Sequence, residues 1–407
     1  MLRNLSLSEI YQYLLILLAF LLPLTVSGAN TIIVIIVVLW LISGNYKFKL
    51  MQIMSSKLMI ASIVFYSLHV LGMLWTEDFK WGFHILHKMW YFLLLFPVLF
   101  SIVQKKHIKH YITAFLLAIA LTEIVSYLVW FEIIPPFKNA TVPNPTPFMS
   151  HISYNPILAF AIYLVYHEML FKINLSGFKF FLYSFFAITM TINMFITGGR
   201  AGQVAYFLVL GILILQFFNK QKIKSLFAVV LLIPAIFFGA YQTSDIFQTR
   251  VNAAVNETMN YTEDVRSGHQ TTSIGFRLTF ALNSWDVIKK NPIIGVGTGD
   301  FPSEYKKINQ KNTPHLVNQA YITNPHNMYI LVMMQLGLIG LVSMLSIFYY
   351  QIKISSSASS RFFRDVGLTL PLIFLVLMLS DSYILGHFTT LMYVFFSAFL
   401  HKDFEKS

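Results

Sequence analysis

Between Gly202 and Phe218 the chain reads GQVAYFLVLGILILQFF, and between Ser225 and Tyr241 it reads SLFAVVLLIPAIFFGAY, with no charge in either run. Runs of this kind constrain the fold more than any other feature, because in hydrocarbon every backbone N–H and C=O must find its partner within the protein. Only helices and closed barrels meet that demand. Barrel strands alternate apolar and polar residues; these runs do not, so each is read as a membrane-crossing helix. The composition agrees, since 57% of the 407 residues are hydrophobic and 11% charged, too apolar for a water-soluble chain of that length.

Hydropathy gives about 12 such spans. They lie near Tyr11–Ser27, Thr31–Ser43, Leu58–Leu74, Met89–Val103, Tyr111–Phe131, Pro156–Phe171, Phe180–Thr197, Gly202–Phe218, Ser225–Tyr241, Asn327–Tyr350, Val366–Leu385 and Thr389–Leu400. The expected fold class is an all-α polytopic membrane protein. Small residues follow the first span at Ser27 and Gly28, as at a leader cleavage site, but the next span begins almost at once. Lys47, Lys49 and Lys57, then Lys105, Lys106 and Lys109, then Lys172 and Lys179, then Lys220, Lys222 and Lys224, then Lys353, Arg361 and Arg364 occupy alternate connections. The basic bias assigns those connections, and both termini with Arg3, Lys402 and Lys406, to the cytoplasm. The net charge of +12 therefore marks topology rather than a nucleic-acid surface. The chain divides into spans one to nine (1–241), a loop subdomain on the outer, periplasmic face (242–325), and three further spans with a short tail (326–407).

Cysteine is absent, which removes thiolate nucleophiles, Fe–S clusters and Cys-zinc sites. Chemistry falls to His, Arg, Lys, carboxylates and hydroxyls, and three outer segments gather them. The first is TGGRAG, Thr197–Gly202, a turn between spans with Arg200 at its tip and glycines that allow close backbone approach. An arginine at a membrane boundary ordinarily snorkels, whereas its planar charged fork also suits a diphosphate. The second is GFRLTFALNSWDVIKKNP, Gly275–Pro292, an amphipathic helix suited to the membrane interface. It carries Arg277 near its start, Phe276, Phe280, Leu282, Trp285 and Ile288 as its apolar set, and Pro292 as its stop. Gly295, Gly297 and Gly299 follow, without the Lys-Ser/Thr of a phosphate loop, and are expected to form a tight turn or short hairpin.

The third is NPHNMYILVMMQLGLIG, Asn324–Gly340. Asn324 is expected to cap the helix and His326 to sit at its outer mouth. Gly337 would lie on the same face about three turns on, where it and Gly340 would let another helix pack closely. An isolated interfacial His is ordinarily inert; near neutral pH it is also the natural general base.

Together, TGGRAG, FRLTFALNSWDVIKKNPIIGVGTGDF and NPHNMYILVMMQLGLIG resemble the signature blocks of the O-antigen ligase and polymerase superfamily, bacterial inner-membrane glycosyltransferases with a GT-C-type fold. The resemblance is strongest over 197–340. It implies that Arg200 and Arg277 hold the diphosphate of an undecaprenyl-diphosphate-linked glycan and that His326 activates the acceptor hydroxyl, lipid A-core in a ligase. Asn327, Lys88 and His151 are further outer-face groups that would line such a site. Gln335 stands where an acidic residue often precedes Leu-Gly, and GGR replaces the more usual Ser-Arg. No cofactor is expected, and the acidic residues of the outer loops form no recognised metal motif. The compact chain favours a ligase over a repeat-unit polymerase, which differs in acceptor. A transporter or flippase would place ionisable groups near the bilayer midplane, often in repeated halves. Here Glu123 is the clearest charge within a span, Asp381 sits toward the outer end of its own, and no halves repeat.

Overall fold

The computed structural model describes residues 6–172, 175–219, 221–260, 273–314 and 322–404. Its helices are α1 (Leu7–Leu21), α2 (Val26–Ile42), α3 (Tyr46–Met54), α4 (Lys57–Leu71), α5 (Phe79–Trp90), α6 (Phe96–Ile102), α7 (Ile108–Trp130) and α8 (His151–Phe171). There follow α9 (Gly177–Ile196), α10 (Arg200–Phe218), α11 (Lys222–Thr243), α12 (Asp245–Met259), α13 (Ser273–Ile288) and α14 (Phe301–Asn312). The chain closes with α15 (Met328–Ser356), α16 (Arg361–Leu377) and α17 (His387–Leu400).

Among the described residues, seven helices are long and apolar enough to cross a membrane, or eight if α2 and α3, bent by 116°, form one span. The count of 12 from hydropathy included shorter and more polar helices. α1 and α17 are apolar but short. α8 carries His151, Asn155, His167 and Glu168, and α16 carries Arg361, Arg364 and Asp365. From Tyr154 to Val165 every residue of α8 is buried, and its closest packing is against α10. A helix enclosed on all sides belongs to the protein core.

Both ends of the described chain meet at one end of the bundle. Gln104 donates to Ser8 Oγ at the start of α1 (2.5 Å), and the Lys402 ammonium, just past α17, donates to the Val103 carbonyl (3.2 Å). Lys57, Lys105, Lys353 and Lys402 line one cavity there. Arg3 and Lys406 lie outside the described residues.

The other end is organised by a break in α15. Gly337 has φ +59° and ψ −153°, which interrupts the helical ladder. The broken turn leaves orphan carbonyls before the break and orphan N–H groups after it, and the segment that follows α13 supplies partners for both. Val296 N–H donates to the Met334 carbonyl (2.8 Å) and Gly297 N–H to that of Gln335 (3.0 Å); Leu338 N–H donates to the Pro292 carbonyl (2.8 Å) and Ile339 N–H to that of Ile293 (3.2 Å). The approach is so close that a Cβ on Gly337 would fall 2.4 Å from Ile293 backbone atoms, and one on Gly295 2.4 Å from the Gln335 carbonyl carbon. The expected helix–helix contact at Gly337 is thus a backbone insertion, and of the tight turn or short hairpin expected around Gly295–Gly299 the structure forms a turn that enters the broken helix. Just beyond it, the buried Asp300 carboxylate accepts N–H bonds from Glu77 and Asp78, tying the same segment to the start of α5.

Candidate active site

Arg200 is the first residue of α10 rather than the tip of a loop. The turn before it is pressed against α8 and the segment that leads into it: Thr197 Oγ1 donates to Asn155 Oδ1 on α8 (2.7 Å), Gly198 N–H donates to Asn144 Oδ1 before α8 (2.9 Å), and Gln203 returns to the Thr197 carbonyl (3.0 Å). A Cβ on Gly202 would stand 2.2 Å from Asn155 Cβ and 2.7 Å from Pro156 N. The expected close backbone approach is therefore made to α8, and its effect is to fix where α10 begins. Gly199, the N-cap, offers no side-chain acceptor, so the first N–H groups of α10 lack the usual cap.

Arg200 lies 3.8 Å from Glu257 Oε2 on α12, and the charges of Arg250 and Arg277 oppose its own from nearby. Arg250 also lies against Gly198, and its charge acts on His151 at the start of α8. Arg200, Arg277 and His151 thus share one region, with Arg250 and Glu257 added to it. Sequence reasoning treated 245–259 as loop and passed over Arg250. The available signal was Ser244, whose hydroxyl accepts the Phe247 N–H as a cap, followed by Arg250 and Glu257 two turns apart on one face.

α13 runs from Ser273 to Ile288, so its last turn ends before Pro292. Its apolar residues divide between two faces. Phe280 and Ile288 are buried, while Leu278, Leu282 and Trp285 form an exposed stripe at helical spacing. Phe280 stacks on the His326 ring with centroids 6.2 Å apart, one turn along α13 from Arg277. Arg277 is close enough to Tyr383 for its charge to act on that hydroxyl, alongside Asp381.

His326 precedes α15 and has φ +51°, a left-handed conformation costly for a residue with a Cβ. It does not share a helical face with Gly337. Asn327 caps the helix, accepting the Ile330 N–H (3.1 Å) and donating to the Leu379 carbonyl (3.1 Å). Asn324 instead holds the bend: its Oδ1 accepts the His326 N–H (2.9 Å) and the Ser382 hydroxyl (2.9 Å), and its amide donates to Asp381 (2.8 Å).

Asp381 lies past the end of α16, and its Oδ1 is 3.3 Å from His326 Nδ1, close but not aligned as a hydrogen bond. Burial alone would raise its carboxyl; His326, the Ser382 N–H and Asn324 outweigh that and hold it below the ordinary range. In sequence Asp381 looks like a charge within a span. Its role beside His326 depends on α16 ending at Leu377, which hydropathy does not register.

A cavity of about 220 Å³ reaches Asn324 and Asp381, the residues that hold His326; Lys88, Ile152 and Ser153 line its other side. Lys88 is thus brought to the site. Glu123 is elsewhere, buried within α7, and its carboxylate oxygens have no hydrogen-bond partner among the described residues. No cluster of three or more His, Asp or Glu side chains arranged to hold a metal occurs among the described residues.

No curated protein matches the chain. Residues 185–345 match the family model described as O-antigen ligase, a segment that carries Arg200, Arg250, Glu257, Arg277, His326 and the Gly337 break. Over that segment the chain is similar to the O-antigen ligase family.

Proposed function

We propose that the protein is a glycosyltransferase that moves O-antigen from undecaprenyl diphosphate to lipid A-core on the periplasmic face of the bacterial inner membrane. The observation that carries this reading is the position of Arg277, near Arg200 and Arg250 on one side and, beside Tyr383 and one turn from Phe280, near the His326–Asp381 pair on the other. A glycan on a lipid diphosphate already has an activated anomeric carbon, so no nucleotide is needed. The enzyme has to stabilise the departing charge, align the acceptor and take its proton.

Arg200 and Arg277 hold the diphosphate, and the N-terminus of α10, which carries no side-chain cap, adds N–H donors and the positive end of its dipole. His326 presents Nδ1 to Asp381, which leaves Nε2 to accept the acceptor's hydroxyl proton. The acceptor oxygen attacks the anomeric carbon as the bond to the diphosphate oxygen breaks. The diphosphate leaves with its electron pair, and the configuration inverts. Lys88 and His151 flank the acceptor side. Asn327, committed to its helix cap, acts by positioning His326.

The test is the lipopolysaccharide and carrier-lipid profile of a strain carrying His326→Ala, beside wild type and a deletion, with protein level checked. Losing a general base costs about 10²- to 10⁴-fold in rate. The ligase reading requires core without O-antigen while long glycan accumulates on undecaprenyl diphosphate. Core bearing a single repeat unit would assign a polymerase, and an unchanged profile would remove His326 from the chemistry.

A further inference from the structure

At the opposite end of the bundle from His326, a cavity of about 930 Å³ opens between α3, α4, α15, α16 and the end of α17. α15 separates the two sites by roughly 40 Å of helix at 1.5 Å per residue. The cavity's charge is one-sided: Lys57, Lys105, Lys353 and Lys402 line it against a single carboxylate, Asp403. Ser55, Ser56, Ser357, Ser359 and Ser360 line it as well. Ammonium and hydroxyl donors in this proportion suit phosphate oxygens.

Lys402 is the strongest sign that an anion belongs there. Its side chain is buried, donates to the Val103 carbonyl at 3.2 Å, and lies 5.5 Å and 5.6 Å from the Phe100 and Phe404 ring centres. It forms no ion pair among the described residues. Burial lowers its ammonium to about 8, as happens when a cation is desolvated without a counter-charge.

The cavity also has an apolar wall, formed by Phe48, Met51, Tyr350, Ile354 and Phe363. Phe48 and Met51 are 60% and 61% exposed on the short helix α3. Lys57 and Lys105 begin two of the helices long and apolar enough to span a membrane, and Lys353 lies in the last turn of a third. The lysines therefore stand at the level where acyl chains give way to headgroups, with apolar side chains beside them. A soluble phosphate would have no use for that wall.

We propose that this cavity binds an anionic glycerophospholipid, its headgroup phosphate held by Lys57, Lys105, Lys353 and Lys402 and its acyl chains lying against α3 and α15. The site is separate from the transfer chemistry, and its test does not depend on it. The full chain in a neutral detergent is titrated with short-chain phosphatidylglycerol, short-chain phosphatidylcholine and inorganic phosphate, with the thermal unfolding midpoint as readout.

Phosphatidylglycerol is expected to raise the midpoint saturably, and Lys57→Gln/Lys105→Gln/Lys353→Gln to weaken its apparent affinity about tenfold or more, since each lysine near a headgroup contributes separately. These three lysines are exposed, so the triple variant keeps its core; Lys402→Met serves as a second variant with the same expected loss. Equal responses to phosphatidylcholine, or an unchanged response in the triple variant, would overturn the proposal. Saturation by inorganic phosphate at the affinity of the lipid would overturn the lipid assignment and leave a soluble anion in its place.

Discussion

Arg200 and His326 are held by opposite means. Arg200 is placed by shape, because Gly199 and Gly202 let the turn and the first residues of α10 sit directly on Asn155 and Pro156 of α8. His326 is placed by polar side chains, which keep a Cβ-bearing residue at φ +51° through Asn324, Ser382 and Asp381. A steric fit fails abruptly when an atom is added, whereas a hydrogen-bonded bend loosens by degrees as partners are removed. The two supports should therefore respond differently to conservative change.

The largest effect is expected at the steric support. Gly202→Ala would gain about 1 kcal/mol of helix propensity, but its Cβ meets α8 backbone 2.5 Å away at Asn155 C, and overpacking costs about 1–3 kcal/mol or more where backbone must move. Clash wins, so both the unfolding midpoint and transfer activity should fall. A Gly202→Ala protein that is more stable than wild type and fully active would remove the steric account.

Asp381→Asn should separate stability from activity. The amide keeps the shape and still accepts from Ser382 N–H, but it loses the charge facing His326 Nδ1. Activity is expected to drop about tenfold or more, far beyond what the modest fall in midpoint from losing the charge would cause. A variant that unfolds early and retains its activity per folded molecule would make Asp381 purely structural.

The smallest effect is on pH. Because Asp381 is held below the ordinary carboxylate value of about 3.9 by His326, Ser382 and Asn324 against the pull of burial, its contribution is fully present above that value. It is lost as pH falls through the lowered folded-state value. Unfolding midpoints of wild type and Asp381→Asn should converge as pH is lowered below about 4; parallel curves would show that Asp381 makes no net contribution.

How far these supports can be read from sequence follows from the range of each interaction. TGGRAG announces a close approach, since two glycines flanking an arginine leave few other reasons for their presence. The sequence does not say that α8 is what approaches. NPHN announces a helix start, but which asparagine caps it turns on one backbone dihedral, and the cap is Asn327 rather than Asn324. Arg250 escaped notice because hydropathy reads 242–325 as one loop, although Phe247, Val251, Val255 and Met259 recur at helical spacing along α12. The membrane class was legible because it rests on summed apolar content, which no single contact can reverse. The number of crossings is less legible, because hydropathy scores an enclosed helix such as α8 and a largely exposed one such as α11 alike.

The interrupted turn at Gly337 bears on how the protein is made. Pro292–Gly297 precede Met334–Ile339 in the chain, so the segment that completes the ladder is already synthesised when its receptor turn emerges from the ribosome. The polar backbone exposed at that turn has no partner until the preceding segment packs against it. Assembly thus has a built-in order: the region bearing Arg277 must fold back before the last helices can seal, and a chain in which that step is delayed carries an open turn.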